Sequence, residues 1–424
     1  MLAAQGVATA ISLGVDMLLF RRLYASERGT LTAALGLRSV FLAVADVGLA
    51  LTTVRVASEY VAKGMKDEAN LIFRRALFTR LVLALLVFLL AAVLSPLLAG
   101  FPLAAANRNG LVYASAAALA GLTAISWGVD VARSCRRFGM FFAHQVGDAA
   151  LKAVAVGAVF LCVSGSIVQS ELVLWFMAAG ATLAGIFSIF IQRSDLTRPR
   201  ALTPESARIV NARLSSFNRY GSAIALLFSL NGLIEVFLIQ YLKGGNETAI
   251  FEGARRLALI LPLIGATLST IFLPRAATLN SVEACSDYLR KAFKVSVLLA
   301  LFSAGGLAAL SDFIVPMLWG DRYIRSIPAL HWLCLAYGLA MVINPLILVL
   351  YPLRREGVVV FLYGANAILS ILAGLWLIPD RGALGAAWSS LLVSAIMVLL
   401  YATALIFSFD KAKKDESVHK QELS

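Results

Sequence analysis

Residues 79–99 read TRLVLALLVFLLAAVLSPLLA. Past Arg80 this stretch carries no charge, and it is apolar on every face. As a helix of about 1.5 Å rise per residue it crosses the roughly 30 Å hydrocarbon core of a bilayer. A membrane barrel strand would instead alternate apolar and polar residues over about ten positions.

Eleven similar runs surround it, at 2–20, 31–52, 110–129, 145–164, 171–191, 220–242, 249–273, 293–310, 328–350, 357–378 and 383–407. They account for a composition that is 60% hydrophobic and only 14% charged, with a mean hydropathy of +0.85 over 424 residues. A soluble domain is nearer half apolar and about a quarter charged. The sequence therefore predicts an all-α polytopic membrane protein of twelve helices. The first run lacks a basic flank and a small-residue cleavage site, so it reads as a retained helix. Because the chain opens almost inside that helix, a short basic leader before Met1 is expected.

The net charge of +13 sits in the connecting segments. Counting Lys and Arg on alternate sides of the twelve spans gives 25 against 8. The positive-inside rule places the richer side, and both termini, in the cytoplasm. This distribution argues against a nucleic-acid partner. Cys135, Cys162, Cys285 and Cys334 are far apart, and His144, His331 and His419 have no metal-ligand spacing. No metal or cofactor is expected. No nucleophile–base pair or phosphate-cradling glycine loop stands out, so the chain does not read as an enzyme.

The longest polar stretch, 192–218, holds Pro199 and Pro204 and divides the spans six and six. The expected organisation is a six-helix lobe at 1–191, a cytoplasmic linker at 192–218, a second six-helix lobe at 219–410 and a polar tail at 411–424. The halves match weakly. A shift of 218 carries Arg136-Arg137 onto Arg354-Arg355 and Arg38 onto Arg256, and a shift of 219 carries Asp16 onto Glu235. Six spans per lobe make the repeat parallel, an arrangement common in transporters.

Some charges fall inside spans, where exposure to lipid costs about 3 kcal/mol or more. Asp148 and Lys152, four apart, read as an internal ion pair. Arg38 and Arg256 lie at one depth in the two lobes and read as cavity residues, with snorkelling as the plainer alternative. Arg255 points about 100° away from Arg256, which separates their roles. Arg55 ends span two as an anchor or an anion contact. Asp16 shares a stripe with Gln5 and Ser12, and Glu235 shares one with Tyr220 and Asn231; both read as interhelical hydrogen-bonding or coupling groups. Asp46 is a third carboxylate of this kind. Pro262 and Pro345 fall inside spans and permit bends.

Several motifs carry a resemblance. They are LYASERG at 23–29, ADVGL at 45–49, LPR at 273–275, WGDRY at 319–323 and IPDRGALGAA at 378–387. Over nearly its whole length the chain resembles the polysaccharide-exporter branch, of the O-antigen flippase type, in the multidrug/oligosaccharidyl-lipid/polysaccharide exporter superfamily. The resemblance implies two rocking lobes, a bacterial inner-membrane location and a basic cavity that meets the pyrophosphate of an undecaprenyl-linked sugar. Many relatives place an Asp-Arg pair late in helix seven, where this chain has Glu235-Val236.

Arg38, Arg256, Arg255 and Arg55 are thus the candidate contacts for the anionic head group, since guanidinium binds phosphate oxygens bidentately. Asp16, Glu235 and Asp46 are the candidates for proton or cation coupling. The implied partners are a lipid-linked oligosaccharide, membrane lipids, and a glycan polymerase with other proteins of its pathway. Two rival readings stand beside the flippase. One is a proton- or sodium-coupled multidrug antiporter of the same fold, which should want an acidic cavity. The other is a membrane-embedded glycan polymerase or ligase, which usually needs a larger outer loop than this chain offers.

Overall fold

The computed structural model describes residues 2–46, 48–101, 103, 108–162, 169–196, 208, 219–265, 282–350 and 356–422. All regular structure among them is helical. Among the described residues, nine helices are long and apolar enough to cross a membrane. One of these, Gly357–Phe407, has 51 residues, more than twice the length one crossing needs. It breaks at Gly382, where φ is 54°. A Cβ on Gly385 would collide with the backbone of Leu377. Residues eight apart in a straight helix are about 12 Å apart, so the chain folds back here and crosses twice. The described part of each of the twelve expected spans is helical, with residue 47 of the 31–52 span, the last two residues of the 145–164 span and those past 265 of the 249–273 span outside the described residues. The LPR motif at 273–275, the Arg354-Arg355 pair and most of the 192–218 linker lie outside the described residues.

The chain divides into two compact units, Met1–Ser229 and Leu230–Ser424. The first contains α1 (Leu2–Arg22), α2 (Ala25–Asp46), α3 (Leu49–Ala62), α4 (Lys66–Val93), α5 (Ser95–Gly100), α6 (Asn109–Ala117), α7 (Leu119–Ser134), α8 (Phe138–Cys162) and α9 (Ser170–Ile191). Span two is shorter than its apolar run implies, because α2 stops at Asp46 and Gly48 takes φ 69° before α3 begins. Arg55 therefore belongs to a separate helix. Conversely, α4 begins well before residue 79, with Asp67 and Glu68 in a first turn that favours acidic groups. It buries Ala69, Ile72, Phe73, Ala76, Leu77 and Arg80 and exposes Phe78, Leu85, Leu86, Leu89 and Leu90, a lipid-facing stripe.

Helices α7 and α9 approach to backbone contact. A Cβ on Gly121 would overlap Ala181, and one on Gly185 would meet Gly121. Small residues at such crossings drive association where the hydrophobic effect cannot. Polar groups tie the same seam, with Ser188 donating to Ala124 O at 3.1 Å and Gln192 to Gly128 O at 2.7 Å.

The second unit takes in the end of α10 (Arg219–Asn231), then α11 (Ile234–Lys243), α12 (Gly245–Ala258), α13 (Val282–Ala309), α14 (Ser311–Trp319), α15 (Ile327–Leu350) and α16 (Glu356–Glu422). Pro262 lacks an N–H and crowds the carbonyl four residues back, which matches the end of α12 at Ala258. Pro345 leaves no such break, since α15 runs on to Leu350.

Candidate functional site

Three embedded carboxylates of the first unit, Asp16, Asp46 and Asp130, are bound to arginines. Arg28, fully buried at the start of α2, donates to Asp16 on α1 at 2.9 Å and to Thr32 at 2.9 Å. Its guanidinium lies 4.3 Å from the centre of the Phe20 ring, a contact that stabilises a desolvated cation. Arg28 counted as a loop residue in the charge tally, and the structure corrects that, because α2 starts at Ala25. The Asp16 stripe is not uniform, since Gln5 and Ser12 are exposed while Asp16 is buried.

Deeper in the unit, Arg80 lies 2.8 Å from Asp46 and 2.6 Å from Asp130 on α7. The charge tally places Arg80 with the cytoplasmic loops, and the structure corrects that, because Arg80 is fully buried on α4. The lysine and arginine asymmetry between the two sides survives without either residue. Asp148 and Lys152 pair at 2.5 Å, as their spacing predicts. Outside the spans, Arg137 grips Asp195 with two hydrogen bonds of 2.6 and 3.0 Å. That carboxylate raises the Arg137 pKa above its ordinary value.

The second unit concentrates its charges. Glu252, fully buried on α12, meets Arg255 at 2.7 Å through one oxygen and Arg256 at 2.7 Å through the other. The expectation that Arg255 and Arg256 part company is therefore corrected. A carboxylate three and four residues back reaches both side chains, because i+3 and i+4 flank one helix face. Arg255 also reaches the Gly232 carbonyl at 3.3 Å, a group left without a helical partner by the break between α10 and α11. Glu235, at the start of α11, is buried and accepts from Ser390 at 3.5 Å. Asn231 of the same stripe donates to Tyr363 O at 3.0 Å.

Each unit closes one end with a matching clamp. Glu27 accepts the Ser170 N–H at 2.7 Å and holds Arg108 at 2.9 and 3.2 Å. Glu247 accepts the Ala383 N–H at 2.9 Å and meets Arg325 at 3.3 Å. Each glutamate sits in the first turn of its helix and caps the N-terminus of its unit's last crossing. The glutamates set a local register of 220 residues between α2 and α12, while the arginines they hold are 217 apart and the capped N–H groups 213. In that register Arg38 corresponds to Ala258. Arg38 lies two residues farther along its helix than Arg256, about 3 Å deeper and rotated by about 200°. Both arginines are half-buried, and Arg55 is exposed on α3.

No protein-family model matches the chain, and no curated protein does. Solved structures match over nearly its full length. The lipid II flippase MurJ, in an inward closed conformation, superposes with a TM-score of 0.72 at 14% identity, covering 96% of this chain and 88% of that one. A MATE transporter from Vibrio cholerae gives 0.65 at 14% identity, with 97% and 94% covered. An inward-facing multidrug resistance MATE family transporter of the MOP superfamily gives 0.63 at 14%, with 96% and 95% covered. The fold is that of these membrane transporters.

Proposed function

We propose that this protein is a flippase that moves an undecaprenyl-pyrophosphate-linked oligosaccharide across the bacterial inner membrane for surface polysaccharide synthesis. In this reading both termini are cytoplasmic. Arg38, Arg55, Arg255 and Arg256 supply the contacts to the anionic head. The observation that carries it is the pairing of embedded carboxylates with cations. Asp16, Asp46, Asp130 and Glu252 each lie within ion-pair distance of an arginine, and Asp148 of a lysine. A site for organic cations would keep such carboxylates open, whereas two arginines on the one carboxylate of Glu252 leave a positive charge in excess, which suits a pyrophosphate. The superposition on a lipid II flippase supports the same substrate class. Glu235 is the favoured coupling group, because it is held by the Ser370 and Ser390 hydroxyls with the Arg255 charge nearby, while Asp16 and Asp46 hold arginines directly.

In cells that depend on this protein for surface glycan, Arg38→Ala or Arg256→Ala should abolish the glycan. Arg→Lys should retain part of it, because lysine keeps the charge and loses the fork. Unchanged glycan from the double alanine variant, at normal protein levels, would remove these residues from the site.

A further inference from the structure

The bend between α2 and α3 is held by a chain of charges. Helix α2 ends at Asp46, Gly48 takes φ 69°, and α3 begins at Leu49. Glycine suits this bend twice over. Its φ lies in the left-handed region, and a Cβ there would press on Ser222 Oγ. The Asp46 carboxylate works in two directions. Oδ2 accepts the Ala50 N–H in the first turn of α3 at 3.4 Å. Oδ1 lies 2.8 Å from Arg80 Nε on α4.

Arg80 in turn donates to Asp130 on α7 at 2.6 Å, and α7 is locked to α9 through Gly121 and Gly185. The two carboxylates are held unequally, with 22% of the Asp46 side chain exposed against 3% for Asp130. Arg80 Nη1 and Nε and Asp46 Oδ1 are buried without a hydrogen-bond partner among the described residues, so Arg80 holds Asp46 as an ion pair, while its hydrogen bond goes to Asp130. The guanidinium is therefore anchored at Asp130 and reaches outward to Asp46. The far half of α3 is seated differently, with Ala57 and Tyr60 packed on Ile72, Phe73 and Ala76 of α4. Apolar packing is non-directional. The charged contacts of Asp46 fall instead at the first turn of α3, where the helix leaves the bend.

We propose that Arg80 is a positioning residue: through Asp46 it sets the direction in which α3, carrying Arg55, leaves the bend at Gly48. The consequence for transport rests on the reading of Arg55 as an anion contact. The consequence for geometry does not.

The test is a distance measured across the bend. Spin labels on cysteines placed at the exposed positions Ser39 and Ala62, with the four native cysteines replaced by alanine, report the angle between α2 and α3 in lipid nanodiscs. Asp46→Asn and Arg80→Met should shift the main distance by about 3 Å or more, or add a second peak. That is the displacement given by a change of about 10° at the end of a helix of about 20 Å. Arg80→Lys should show a smaller change. Asp130→Asn should shift the distance less than Asp46→Asn does, because asparagine keeps an oxygen that accepts from Arg80 and leaves the Asp46 contacts with α3 in place. A role confined to stability would lower the melting temperature of every variant and leave all the distances alone, and that result overturns the proposal. If Arg80→Met fails to fold, Asp46→Asn against Asp130→Asn decides. A shifted distance with parental transport would discard only the role of Arg55.

Discussion

The two units share their frame and differ in their interiors. At one end each uses a first-turn glutamate to cap the last crossing and to hold an arginine, Arg108 in one unit and Arg325 in the other. Inside, the first unit spreads its arginines over separate helices, with Arg28 on Asp16 and Arg80 between Asp46 and Asp130. The second gathers Arg255 and Arg256 on the single carboxylate of Glu252. Helix ends have unsatisfied backbone groups wherever they occur, so a device that satisfies them suits both copies. Interior charges need only be paired locally, and each unit has its own solution.

The contrast predicts unequal costs. Glu252→Gln leaves one oxygen for two guanidiniums and turns an amide N–H toward the other. Removing one partner of a buried pair costs about 3–5 kcal/mol, so Glu252→Gln should cause the largest loss of thermal stability in the purified protein. Asp16→Asn keeps an oxygen for its one arginine, and Arg28 retains Thr32 and the Phe20 ring. It should cost about half as much. Equal losses would mean that sharing one carboxylate carries no special burden.

The crossings were legible because 18 to 22 apolar residues in a row leave few alternatives. The buried charges were less so, for two different reasons. Arg80 adjoins a long apolar run, and hydropathy alone assigns it to the loop. The spacing of Ala69, Ile72, Phe73, Ala76 and Leu77 continues to Arg80 on one face, and following that face would have placed the arginine inside. Glu252 is legible in the sequence by its offsets of three and four to Arg255 and Arg256, the usual ion-pair spacings, but hydropathy does not single it out. The Glu27 and Glu247 clamps were not legible. Each joins groups far apart in sequence, 143 residues for Ser170 and 136 for Ala383, through a backbone N–H that any residue supplies.

Backbone contact gives a second comparison, of intermediate size. Gly185 in the first unit meets Gly121 across two helices, and Gly385 in the second meets Leu377 across one turn. Valine at either position forces backbone apart, and such overpacking costs about 1–3 kcal/mol. Both variants should melt lower than the parent. Gly305→Ala is the control, since a Cβ there meets nothing within 4 Å, and it should gain about 0.5–1 kcal/mol from helix propensity. A tolerated Gly385→Val would show that the turn at Gly382 yields more readily than the α7–α9 seam.

The smallest effect separates the two clamps themselves. Arg108 holds Glu27 with both arms and Ser170 Oγ at 3.0 Å, with 26% of its side chain exposed. Arg325 makes one ion-pair contact among the described residues, of 3.3 Å, with 75% of its side chain exposed. Exposed ion pairs contribute about 0–1 kcal/mol, and solvent screening takes most of that from Arg325. Arg108→Ala should therefore lower stability by about 1 kcal/mol, and Arg325→Ala by less than about 0.5 kcal/mol. Double-mutant cycles with Glu27→Gln and Glu247→Gln isolate each pair from the capping bond that both glutamates also make. Added salt should erase the Arg325 coupling first, because exposed charges are screened more than half-buried ones. If the two couplings prove equal and fall together with salt, the clamps are energetic as well as geometric copies, and the divergence of the units is confined to their interiors.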